Sequence, residues 1–172
     1  VAAINRGRCR IDEPGVPRLL KDAVKRGLLR ATADTKAAVS QSGVVVVIVP
    51  AKLTSALTAD LSVLEAASRA IALGLRAGTL VSVETTVPVG TTRRVLAPLL
   101  GASGVEFDLA FSPERVKSGS VLERLTTTPK IVGGLTPAAG RRAESFYRRF
   151  LGSPVIRLGS VEESELAKLA GM

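Results

Sequence analysis

VSVETTVPVGTTRR, residues 81–94, passes from one kind of chain to another twice. It opens as the continuation of a β-branched apolar run and ends that run on Thr85 and Thr86. It then crosses Pro88-Val89-Gly90 and resumes with the helix-opening Thr91-Thr92-Arg93-Arg94. Threonine suits strands on propensity alone, and Pro and Gly mark turns. A buried strand, a glycine-bearing turn and a helix in succession are also the repeating unit of an α/β sheet, in which the carboxyl ends of strands face ligands.

The pattern recurs on both sides. EPGVPRLLKDAVKRGLL (13–29) has Leu19, Leu20, Ala23, Val24 and Leu28 at helical spacing behind Pro14 and Pro17. LRATAD (29–34) predicts a short strand, TKAAVSQSG a helix, and VVVVIVP (44–50) a central parallel strand, apolar on both faces. DLSVLEAASRAIALGLRAG predicts a helix with a Ser62/Glu65 capping box and Gly78 just past its end. GTTRRVLAPLLG follows as a helix interrupted or ended by Pro98, and FDLAFSPE as a strand running into a loop. PKIVGG and VIRLG are further short strands, separated by a helix capped at Thr136-Pro137; Ser160 and Glu163 form a second capping box. This alternation predicts a doubly wound α/β sheet whose ligand side carries the strand exits VPAKL, ETTVPVG and FSPERVKSG.

Composition excludes several functions. The 172 residues suffice for one domain with a sizeable core, and 46% of them are hydrophobic. One cysteine, Cys9, gives no internal disulfide framework, and the absence of histidine removes His-based triads and the commonest zinc sites, so no metal is expected. The longest apolar run, 44–50, is too short to cross a bilayer, and no charged-then-apolar leader opens the sequence; a cytoplasmic protein without a membrane partner is expected. The net charge of +9 is scattered over presumed helix faces, and with 3% aromatics and no tryptophan there is no stacking platform for bases, so no nucleic-acid partner is expected.

Taken in order, VAAINRGRCRIDEPGVPRLL, LRATAD, VVVVIVP, DLSVLEAA, VETTVPVGTT, FSPERVKSG, TPKIVGG and ESELAKLAGM resemble the nucleotide-sugar 6-dehydrogenases, the UDP-glucose, UDP-N-acetylmannosamine and GDP-mannose dehydrogenases. The resemblance implies a Rossmann-like doubly wound parallel sheet, NAD as cofactor and oxidation of a UDP-sugar C6 alcohol to the uronic acid in polysaccharide precursor synthesis. ERVKSG is more like the UDP-N-acetylhexosamine branch, which points to UDP-N-acetylmannosamine or a related sugar; Ser118 stands where that branch usually has proline. UDP-glucose or GDP-mannose is the alternative substrate.

The family opens with a strand, a Gly-x-Gly-x-x-Gly loop and a second strand ending in an acid; no such loop occurs in these residues. The resemblance therefore implies a sheet lacking its first βαβ unit, in which LRATAD loses its neighbour and VVVVIV becomes an unpaired edge, with 1–159 a partial NAD-binding domain and 160–172 the start of the helix leading to later domains. The family's catalytic cysteine would lie beyond Met172, and members commonly pair through a later region, so a homo-oligomer is possible only for a complete protein. On this reading the chain alone binds NAD poorly and turns nothing over, and a non-catalytic fragment or assembly partner of an intact homologue is the rival from another class.

In the family the C6 alcohol loses hydride twice, with a cysteine-bound thioester hydrolysed last. The resemblance gives Thr86 the role of holding a water near the reacting carbon, Glu114 that of general base, tuned by partial burial, and Lys168 that of stabilising oxyanion charge. It assigns cofactor contacts to Val49, Pro50, Thr85, Thr86, Pro88 and Gly90, and substrate contacts to Glu114, Arg115, Val116, Lys117 and Ser118. Met172 stands where the family has an assisting asparagine.

Overall fold

The computed structural model describes residues 1–116 and 118–171. Its centre is the run Thr79–Val83 (β4), whose residues are all buried because each face of the strand meets a different apolar layer. Val81 and Val83 point into a core built with Leu64, Ile71, Leu96, Leu100 and Val161. Leu80 packs on the other side with Ala110, Val132, Ala143 and Tyr147. The helices supplying these layers are Ser62–Ala72 (α4), Ala97–Gly101 (α5) and Val161–Ala170 (α8) on the first face, and Pro137–Leu151 (α7) on the second.

The sheet has five strands in the order Val44–Val47 (β1), β4, Phe107–Phe111 (β5), Lys130–Gly134 (β6) and Val155–Arg157 (β7). β1, β4 and β5 run parallel; β6 runs antiparallel to β5, and β7 is parallel to β6. The sheet is thus mostly parallel and doubly wound, as expected, with a reversal in its last two strands. The connection between β5 and β6 explains the reversal. It stays at the end of the sheet where β5 finishes: Lys130 reaches the Pro113 carbonyl and Arg115 the Pro129 carbonyl. The short helix Val121–Thr127 (α6) within it does not carry the chain back across the sheet, so β6 must return in the opposite sense.

Beside β1 the structure departs from what composition alone suggests and agrees with a sheet that lacks its first βαβ unit. The predicted central strand 44–50 is an edge strand that stops at Val47, with Val46 40% and Ile48 71% exposed. LRATAD forms no strand, because no strand lies beyond β1 for it to pair with among the described residues. Its one ladder-like contact comes from a side chain. The Asn5 amide, at the end of Ala2–Asn5 (α1), accepts from the Ala31 N–H at 2.7 Å and donates to the Ala31 carbonyl at 2.9 Å.

Smaller departures have local causes. The Ser62/Glu65 capping box does not form: Leu61 is the N-cap, Ser62 is already helical, its N–H donates to Asp60, and Glu65 pairs with Arg69. α4 ends at Ala72, and Gly78, with φ +77°, serves the turn into β4 instead. Of the two readings for Pro98, the helix is interrupted and not ended. The turn before it, Thr92–Leu96, widens to a π-helix, which reroutes the bond that the missing proline N–H cannot make. The segment 51–61 folds into an unanticipated hairpin of Lys52–Leu53 (β2) and Ala59–Asp60 (β3), with Thr54 and Thr58 hydroxyls bonded at 2.7 Å. Val16–Lys25 (α2) and Thr35–Ser40 (α3) lie inside the predicted helical segments, and Thr136 and Ser160 cap α7 and α8 as predicted.

α8 is locked to the rim of the sheet. Gly133 has no Cβ and so admits the Ser160 carbonyl against β6. One turn on, the fully buried Glu165 accepts from the Gly90 N–H and, at 2.8 Å, from the Thr92 N–H. Glu165→Ala would leave two buried N–H groups without acceptors. The expected result is a loss of about 3 kcal/mol of unfolding free energy, read from the urea midpoint of folded wild type and variant.

Candidate functional site

The exits of β1, β4 and β5 converge on a cleft of about 510 Å³. Ile48, Val49, Pro50 and Ala51 form one wall; Glu84, Thr85 and Thr86 the floor; Glu114 and Val116 the other wall, backed by Val121 and Leu125 of α6. Thr85 ties two exits together, its hydroxyl donating to the Val49 carbonyl at 2.6 Å. Thr86 is half-buried in the cleft, and its hydroxyl makes none of the hydrogen bonds found among the described residues. A larger, open groove of about 960 Å³ runs along α2 past Arg18, Lys21 and Lys25, but these are exposed side chains with no convergent arrangement of polar groups.

Beneath the cleft lies a buried polar cluster. Lys130, 7% exposed, donates to Glu84 Oε2 at 2.9 Å. The Tyr147 hydroxyl donates to Glu84 Oε1 at 2.7 Å and shares a second hydrogen bond with Ser82. Burial and the Glu84 charge push the Tyr147 phenol well above its ordinary range, so it stays protonated and serves as a donor. Glu84 is thereby saturated on both oxygens. Lys130 also faces Glu114 Oε2 at 3.8 Å.

Glu114 closes on its own loop, Oε1 accepting from the Arg115 and Val116 N–H groups. Partial burial acts to raise its proton affinity, as expected from sequence. Here the Val116 N–H, the Lys130 charge and the Arg115 N–H outweigh burial and hold the carboxyl below the usual range. The expected direction of tuning is therefore corrected: Glu114 is ionised at neutral pH and is a weaker base than burial alone would make it.

The loop beyond Glu114 is pinned from a distance. Glu13, buried before α2, accepts from the Gly119 and Val121 N–H groups at 2.7 Å each and so holds the start of α6. Arg115 is exposed with its guanidinium on the Pro129 carbonyl, Val116 turns into the cleft, and Ser118 is exposed in a turn. Lys117 and Met172 lie outside the described residues.

The structure thus brings Val49, Pro50, Thr85, Thr86, Glu114 and Val116 together and leaves five of the expected residues it describes outside the cleft: Arg115 and Ser118, and also Pro88, Gly90 and Lys168. Pro88 is exposed on the turn. Gly90 is buried at φ +89°, its N–H held by Glu165 and the place of a Cβ filled by the Arg94 guanidinium. Lys168 is half-buried on α8, three residues after Glu165 and so on the helix face that meets the 90–92 turn. Sequence reasoning missed Glu84, Lys130, Tyr147, Glu13 and Glu165. The only signal for the first two was a charge at the end of a buried strand, Glu84 after VSV and Lys130 before IVGG.

The model of the UDP-glucose/GDP-mannose dehydrogenase family, NAD binding domain, matches residues 1–151. The chain belongs to this family. It is 36% identical to the NDP-N-acetyl-D-galactosaminuronic acid dehydrogenase of Ralstonia nicotianae, across 98% of this chain and 41% of that protein. It superimposes on the UDP-D-ManNAc dehydrogenase of Pyrococcus horikoshii with a TM-score of 0.89 at 34% identity, over 99% of this chain and 41% of the other. For the GDP-mannose dehydrogenase of Pseudomonas aeruginosa the TM-score is 0.91 at 29% identity, over 99% and 41%. The chain spans about two fifths of the length of these relatives.

NAD is the cofactor of the family's domain, and the cleft fits one end of it. Apolar walls from Val49, Pro50, Ala51 and Val116 with a few polar groups on the floor suit a flat ring such as nicotinamide. Among the described residues, the turn amides on this rim are not open to a pyrophosphate: the Gly90 and Thr92 N–H groups are occupied by Glu165, and the Gly119 and Val121 N–H groups by Glu13. Glu13→Ala is expected to release the α6 end of the loop. Amide exchange at Gly119 and Val121 should quicken roughly 10- to 100-fold, matching about 1.5–3 kcal/mol for a hydrogen bond to a charged acceptor, while β4 amides keep their protection.

Proposed function

We propose that this chain carries the NAD-binding and part of the substrate-binding machinery of a nucleotide-sugar 6-dehydrogenase acting on UDP-N-acetylmannosamine or a related UDP-N-acetylhexosamine. The observation that carries the reading is the convergence of Thr86 and Glu114 on one cleft at the strand carboxyl ends. The sugar assignment is supported by Glu114-Arg115-Val116 and by the printed names of relatives acting on N-acetylated sugars. UDP-glucose and GDP-mannose remain the competing substrates. Residues 1–159 are the NAD-binding part, and 160–172 the start of the helix that leads toward later domains.

Bound in the cleft, NAD supplies the hydride acceptor for C6. Val49 and Pro50 shape the wall beside it, and Thr85 fixes that wall to the floor through the Val49 carbonyl. The Thr86 hydroxyl holds a water without adding charge. Glu114, ionised and oriented by the Arg115 and Val116 N–H groups, takes a proton from water during hydrolysis. Lys168 stands on the neighbouring rim and offers positive charge to a developing oxyanion. Arg115, Val116, Lys117 and Ser118 form the segment that meets the sugar nucleotide, and Pro88 and Gly90 shape the turn that sets the rim.

The test is NADH formation by the protein purified from its native cells, with UDP-N-acetylmannosamine, UDP-N-acetylgalactosamine, UDP-glucose and GDP-mannose offered separately. The expected result is turnover preferring an N-acetylated sugar, lowered on the order of 10²-fold or more in kcat by Thr86→Val and by Glu114→Gln. Absence of NADH with all four sugars contradicts the reading.

A further inference from the structure

Among the described residues, Lys130 is the one buried cation. A buried ammonium is expensive unless its protons are all placed, so its partners indicate what it is for. Two are rigid. Glu84 Oε2 lies at 2.9 Å and the Pro113 carbonyl at 3.4 Å, and the Tyr147 ring centroid lies 5.0 Å away. Glu84 is itself fixed, because its other oxygen takes the Tyr147 hydroxyl, which is held by Ser82. The third direction from Lys130 leads to Glu114 Oε2 at 3.8 Å, the oxygen not engaged by the loop amides. Glu114 is 40% exposed on the cleft wall, and its position in the loop leaves it freer than Glu84.

The arrangement is a fixed positive charge set under an adjustable carboxylate. At 3.8 Å the contact is coulombic and short of a good hydrogen bond, so Lys130 attracts Glu114 without saturating it. Among the described residues, the other charged groups around Glu114 are Glu84 from the end of β4, Arg115 beside it in the loop, and Arg124 of α6 across a small cavity that Glu114 and Lys130 also line. Arg115 and Arg124 are exposed, and their side chains turn to the Pro129 carbonyl and to Ser120. Lys130 alone is both buried and fixed.

We propose that Lys130 is a positioning residue for Glu114: anchored on Glu84 and the Pro113 carbonyl, its ammonium orients the free oxygen of Glu114 and sets how readily that carboxylate takes a proton. The proposal rests, for its consequence in the reaction, on Glu114 being the group that handles protons in the cleft. The positioning itself does not depend on turnover. Lys130 touches neither substrate nor cofactor and acts only through Glu114.

The test is a carbon-13 titration of the glutamate carboxylates in the full 172-residue chain, with the Glu114 resonance identified by its loss in Glu114→Gln. In Lys130→Met, which removes the charge at similar volume, the Glu114 midpoint is expected to rise by about one pH unit, a tenfold gain in proton affinity. Lys130→Arg should restore most of the original midpoint. An unchanged Glu114 midpoint in folded Lys130→Met overturns the proposal. Should Lys130→Met fail to fold, Lys130→Gln decides: its amide can still reach Glu84 and the Pro113 carbonyl but carries no charge, so the midpoint should rise, and a midpoint that stays or falls overturns the proposal. Because the titration reads the carboxylate directly, such a failure would leave the role of Glu114 in turnover standing, and a failure to form NADH would leave the Lys130–Glu114 coupling standing.

Discussion

The buried pair of Lys130 and Glu84 joins the two halves of this sheet. Glu84 ends the central parallel strand, and Lys130 begins the strand that runs the other way; β5 lies between them, and the pair closes over its exit at Pro113. Removing one member would strand the other charge out of water, a change of about 3–5 kcal/mol in comparable pairs. The network with Tyr147 and Ser82 fixes Glu84 in the floor of the cleft.

Two other acids repeat this device. Glu165 reaches from α8 to the Gly90 and Thr92 amides and sets the turn after β4; Glu13 reaches from before α2 to the Gly119 and Val121 amides and sets the loop after β5. A chain with a net charge of +9 thus places three carboxylates inside, at the ends of its strands, while its arginines cover the helix surfaces. Strand exits are where backbone amides lose their ladder partners, so acceptors brought from distant elements both satisfy those amides and fix the loops. The same arrangement occupies these four amides, so they are not open to a pyrophosphate.

Much of the fold was legible because it rests on local periodicity. The strands at 79–83, 107–111 and 130–134 and the helices at 62–72 and 137–151 follow directly from alternating and 3.6-residue patterns. What composition alone does not state is set by neighbours, and beside β1 it followed from the missing first βαβ unit. LRATAD has a strand's composition but no partner, and VVVV has a central strand's composition at an edge. The reversal of β6 depends on where the loop 112–129 leaves the chain, which no residue pattern within that loop states. In the site, Thr85, Thr86 and Glu114 were legible as polar residues at strand exits. Lys130 and Tyr147, 46 and 63 residues from Glu84, become its partners only through the fold, as does Glu165 for the Gly90 N–H.

The central claim is that the cleft between the exits of β1, β4 and β5 is where cofactor and sugar nucleotide meet. The most direct measurement is a titration of the nitrogen-15-labelled chain with millimolar NAD and, separately, with a UDP-sugar, following the backbone amides. The account predicts shifts at Val49, Ala51, Thr85, Thr86 and Val116, with Gly78 and Glu106 at the opposite end of the sheet unmoved. Shifts confined to the groove along α2, or none at the highest ligand concentration, would contradict it.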